Sequence, residues 1–157
     1  MSGDHSSSEY SQQRKKLEKH IAEHRVEGTF KGTLESNRDQ ERHLTAFQVS
    51  RSESSERLRV SILALDPLHA GNRIEFYFDL HKNAQATGGT YPIPADPGGG
   101  PYATAYLGVQ IHEVFTHAAS GELHIEKHSS GHINGRLRFV TEVFAGVVYT
   151  GDFIFAV

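Results

Sequence analysis

Four strand-like segments of this chain open with a glycine, any residue and a large apolar side chain, and one architecture has to accommodate all four. Gly121-Glu122-Leu123-His124-Ile125, Gly135-Arg136-Leu137-Arg138-Phe139 and Gly151-Asp152-Phe153-Ile154-Phe155 carry a second apolar residue, whereas Gly28-Thr29-Phe30-Lys31-Gly32 ends in another glycine. A period of two residues is that of a strand with one buried face. The glycines fall on that buried face, where a missing side chain lets a sheet bend or a neighbouring group approach.

Register follows from the turns. With Ser129-Ser130-Gly131 as a hairpin loop whose glycine is left-handed, His128 faces His132, Ile125 faces Gly135, Leu123 faces Leu137 and Gly121 faces Phe139. With Phe144-Ala145-Gly146 as a second loop of the same kind, Val143 faces Val147, Phe139 faces Gly151, Leu137 faces Phe153 and Gly135 faces Phe155. Each inward glycine then lies opposite a large side chain, and Glu122 falls opposite Arg138 on the outer face. A slip of one residue would turn the apolar row to solvent.

At 157 residues the chain is long enough for one domain with a proper core. It has no cysteine, which excludes disulfides and thiolate metal sites. A net charge of −3 from interspersed acids and bases argues against a nucleic-acid protein. No apolar run has the length of a membrane span, and Met1–Arg25 lacks a signal-peptide core, which reads as cytoplasmic.

Residues 1–8 read as a disordered start and residues 9–25 as a helix, capped by Ser8, with Tyr10, Leu17, Ile21 and His24 as a thin apolar stripe. Its other face carries Arg14, Lys15, Lys16 and Lys19, either a solvated face of a helix flanking or plugging a sheet or a basic arm for an acidic partner or a membrane surface. Strands are predicted at Val26–Glu35, His43–Arg51, Arg57–Leu65, Arg73–Leu80, Thr90–Ile93 and Tyr102–His117, followed by the glycine-signed hairpins. The segment Pro94–Pro101 cannot hold regular structure. Residues 26–157 thus form an all-β domain: about eight antiparallel strands in a meander, closed into an up-and-down barrel or, alternatively, left as a two-sheet sandwich. Closure removes exposed edges and is preferred.

The stretches Gly89-Thr90-Tyr91-Pro92, Ser120 to Ile125, Gly135 to Phe139 and Gly151 to Phe155 follow a recurrent order of structural residues. Over about residues 89–157 the chain resembles lipocalin-like bacterial β-barrel domains of unknown function. The resemblance implies a barrel and a bacterial origin, and it supplies no catalytic residue.

Histidine is the over-used chemical residue, with eleven in all and five between His112 and His132. His112, His124, His128 and His132 are predicted to face outward as solvated polar positions; a pair of them would hold zinc, nickel or copper weakly, so no metal and no cofactor is expected. There is no Gly-x-Ser-x-Gly elbow and no phosphate loop. Inward positions are apolar or glycine apart from Lys127 and Thr141. Tyr91, Tyr102 and Tyr106 bracket the Pro/Gly loop as candidate ligand-binding residues under a lid, or as side chains packed on the barrel rim. The expectation is a non-catalytic binding protein. Its ligand is a small apolar molecule in the lumen, or a protein partner, acidic or a second copy, on the Arg14, Lys15, Lys16, Lys19 face. The alternative is a barrel enzyme acting on a small molecule in the lumen. Phe30, Phe76, Phe78, Phe139, Phe153 and Phe155 are large enough to fill that lumen.

Overall fold

The computed structural model describes residues 2–94 and 98–157, with side chains from residue 9 onward. Among the described residues one helix, α1 (Ser2–Glu23), precedes nine strands: β1 (Thr29–Ser36), β2 (Arg42–Glu53), β3 (Arg57–Leu65), β4 (Arg73–His81), β5 (Gly89–Ile93), β6 (Tyr102–Val109), β7 (Val114–Lys127), β8 (Ile133–Thr141) and β9 (Tyr149–Ala156). Eight of them close into an antiparallel barrel in the order β7-β6-β4-β3-β2-β1-β9-β8, with β8 returning to β7, so the sandwich is excluded. The extra strand β5 lies along the second half of β7, where β6 has already left it. No described helix is long and apolar enough to cross a membrane.

The glycine-signed strands pair as their sequence dictates. Gly135 lies opposite both Ile125 and Phe155, Leu137 opposite Leu123 and Phe153, and Phe139 opposite Gly121 and Gly151. Gly131 takes φ 90° in the first loop, and the His128 and His132 backbones bond across it. The lumen is solid: Phe30, Phe76, Phe78, Phe139, Phe153 and Phe155 are all buried, and successive ring centroids lie 5.1 to 5.9 Å apart.

Four local expectations need correction. The helix begins at Ser2 and ends at Glu23 rather than spanning Glu9–Arg25, so the Ser-rich start continues it; propagation from a formed turn costs far less than nucleation. The stretch Tyr102–His117 is two strands, split by a 3₁₀ turn at Gln110–His112 and by Glu113 at φ 51°. His112 therefore sits in a turn at a barrel end and not on a strand. The second hairpin closes through Ala145 and Gly146 alone, with Phe144 bridged to Val147; the Thr141 hydroxyl accepts from the Tyr149 N–H where the ladder loses register.

Bulges at Phe47 in β2 and Ala119 in β7 switch which alternate residues point inward. Before its bulge β7 buries Val114 and Thr116, and after it Leu123 and Ile125. Of the inward polar residues, Lys127 donates to Asn83 Oδ1 at 2.8 Å and Thr141 is buried.

One barrel end is sealed by charge. Arg42 points inward, wholly buried, and donates to Asp66 Oδ2 and Asp39 Oδ2, both at 3.0 Å. The loops that carry them are ordered locally: in the β3–β4 loop Asp66 Oδ1 accepts from the Leu68 N–H, and in the β1–β2 loop the Asp39 backbone N–H donates to Ser36 Oγ.

Candidate binding groove

The apolar stripe of α1 packs against the outside of the barrel. Leu17 and Ile21 are buried with Leu63 of β3, against Tyr77 and Phe115. Tyr10 is buried too, and its hydroxyl donates to Glu75 on β4. This is why β3 and β4 bury both faces: Ser61, Leu63 and Glu75 point outward and are covered. A stripe this narrow suits a helix with one buried side.

Between the helix and the sheet lies a groove of about 450 Å³. The helix supplies Gln13, Lys16, Leu17 and His20, spaced so that they share one face. The barrel supplies Arg59 of β3, Tyr77 of β4, Tyr106 of β6 and Phe115, Thr116 and His117 of β7. Tyr77 and Tyr106 are cross-strand partners with rings stacked 4.8 Å apart, which makes a flat aromatic floor. The Phe115 ring stands 6.3 Å from both, and His117 lies 6.0 Å from Tyr106.

Arg59 forms the wall. Asp79 binds it in a fork, Nε to Oδ1 at 2.7 Å and Nη2 to Oδ2 at 2.9 Å, and its guanidinium lies 4.3 Å over the Tyr77 ring. Such an arginine offers a planar cation already oriented for a ligand. Those hydrogen bonds to Asp79 hold its pKa above the ordinary value. Burial pushes the Tyr77 hydroxyl up to about 12 against the opposing pull of Arg59, so it stays a donor. Burial, then the nearby His24 and Arg59, hold His20 below the usual histidine range, and it is neutral at pH 7. No carboxylate lines the groove among the described residues.

The expected ligand residues separate. Tyr106 reaches the groove. Tyr102 lies on the same outer face of β6 but stacks on His81, 4.6 Å away, beyond the groove. Tyr91 on β5 packs against the barrel core, and its hydroxyl bonds the Gly88 backbone. Residues 95–97 of the loop expected as a lid lie outside the described residues. Of the basic set, Lys16 lines the groove, whereas Lys15 and Lys19 are exposed and do not line it. Arg14 is half-buried, its guanidinium 5.9 Å over the Tyr10 ring.

Sequence reasoning missed Arg59, Tyr77, Phe115 and His117. Tyr77 and Tyr106 are both outward tyrosines, a visible signal. What hid their pairing is that β6, not the next strand β5, is the neighbour of β4.

His124, His128 and His132 are exposed on or beside the β7–β8 hairpin, as the register predicted. Compared with models of known protein families, with curated proteins and with solved structures, the chain finds no match.

Proposed function

We propose that this protein is a non-catalytic binding module whose site is the outer groove, and that its occupant is an acidic segment of a partner protein. The observation that carries the reading is the stacked Tyr77–Tyr106 floor beside Arg59 and Lys16, in a concavity whose lining holds no carboxylate. Tyrosine and arginine are the residues on which interface energy concentrates. The phenylalanine rings packed through the lumen favour an external site over an internal apolar ligand. They also weigh against lumen catalysis, because the same rings occupy the space that a substrate would need. The likeness of residues 89–157 to lipocalin-like domains extends, in this reading, to the barrel and not to an internal pocket.

The chain has no tryptophan, so a Glu-rich peptide bearing one Trp reports binding through its own fluorescence. The expected result is saturable binding that weakens as ionic strength rises from about 0.01 to 0.15 M. Tyr106→Ala and Lys16→Glu should weaken it by about tenfold or more, while Tyr102→Ala leaves it unchanged. A peptide that fails to bind, together with an apolar compound that raises the melting temperature, would return the lumen reading.

A further inference from the structure

Three turns meet at the barrel end sealed by Arg42: the β1–β2 loop with Asp39, the β3–β4 loop with His69 and the 3₁₀ turn with His112. We propose that Asp39, His69 and His112 form a binding site for one d-block divalent cation of the zinc class, independent of the groove. Their ligand atoms all lie within 4.8 Å of one another. His112 Nε2 is 3.2 Å and His69 Nε2 3.9 Å from Asp39 Oδ2, and the two imidazoles meet edge to face with centroids 5.8 Å apart. A tetrahedral ion with bonds of about 2.0–2.1 Å needs ligand atoms about 3.3 Å apart, so small side-chain rotations close the site. Two imidazoles and a carboxylate suit zinc, cobalt or nickel and leave a fourth position for water.

Two further features point to a cation. His69 Nε2 is shielded from solvent and has no hydrogen-bond partner, a costly state for a ring nitrogen unless something binds it. Around it two carboxylates, Asp39 and Asp66, face one guanidinium, Arg42, which leaves one negative charge over. Arg42 would act as a positioning residue. Its bond to Asp39 Oδ2 is the outer support that orients a ligating carboxylate. The turns are themselves tied down: the His69 N–H donates to the Asp66 carbonyl, the Asn72 N–H to the His69 carbonyl, and the Glu113 N–H to the Gln110 carbonyl. Metal entry would order side chains and not remake loops.

Untagged protein stripped with a chelator and titrated with Zn²⁺ in a calorimeter should take up about one equivalent tightly. Co²⁺ in its place should give the intense visible d–d absorption of a four-coordinate site. His69→Gln and His112→Gln should each weaken Zn²⁺ binding by at least about tenfold. Their melting temperatures without metal should match the parent, because both side chains lie in turns outside the core. A His128→Ala, His132→Ala double variant should bind as the parent does. The site is disproved if the parent takes up no stoichiometric zinc, or if binding survives both glutamine variants and disappears with His128 and His132.

Discussion

The Tyr10 hydroxyl donates a 2.8 Å hydrogen bond to Glu75 Oε2 across 65 positions of sequence, and it fastens α1 to the outer face of β4. Glu75 is wholly buried there, and its other carboxylate oxygen, Oε1, has no partner. Burial is the chief reason that its pKa is pushed up to about 7; the Tyr10 bond pulls the other way and the charge of Glu18 adds to the rise.

Glu75 sets the first prediction. A carboxyl raised in the folded state from 4.5 to about 7 stays protonated while the unfolded chain ionises, so its contribution is full below about pH 4.5 and is lost as pH climbs to about 7. The loss is on the order of 3 kcal/mol. Glu75→Gln should remove it: the stability difference between variant and parent should grow in the variant's favour across that window in urea unfolding. Parallel curves at every pH would show that Glu75 titrates normally.

Gly135 tests the barrel register. A Cβ there would run into the His124 carbonyl oxygen and lie 2.9 Å from Phe155 Cζ, and neither the backbone nor a core ring can yield easily. Gly135→Val should cost about 1–3 kcal/mol or more through overpacking. A variant that melts like the parent would mean that this point is not packed as described.

Removing residues 1–24 should leave a closed barrel, because α1 contributes no strand to it. Leu63, Tyr77 and Phe115 would then be exposed, so a lower melting temperature and stronger binding of a hydrophobic dye are expected at an unchanged strand signal. Collapse of the strand signal in circular dichroism would make the helix part of the folding unit.

His20 predicts a pH response in the groove. Burial, His24 and Arg59 disfavour its charge, and the negative charge of an acidic ligand would work against the last two. Binding of the acidic peptide should therefore take up a proton and tighten as pH falls from about 7.5 to 6. In His20→Gln that tightening should shrink; an identical pH profile in the variant would place the titrating group elsewhere.

The core pattern was legible in the chain because a two-residue period states which side of a strand is buried without reference to its neighbours. Gly135 and Phe155 could be matched from the hairpin turns alone, since turn length sets register between strands adjacent in sequence. Even there the Ala145–Gly146 turn escaped, because a buried threonine hydroxyl replaces a ladder bond and shifts the count. Bulges at Phe47 and Ala119 escaped for a related reason: an added residue resets the alternation without leaving a compositional mark.

The sequence by itself determined the strands, the inward glycines, the phenylalanine filling of the lumen and the one-sided helix, all properties of local periodicity and side-chain volume. Only the tertiary structure decided where chemistry could gather. Tyr77 meets Tyr106 because β4 pairs with β6 past an intervening strand, and Glu75 changes its proton affinity because a helix 65 residues earlier lies over it. Asp39, His69 and His112 converge because barrel closure brings the turns between three different strand pairs to one end. Such groups are set by which strands become neighbours in space, and that follows from the free energy of closing the whole sheet rather than from any segment of it.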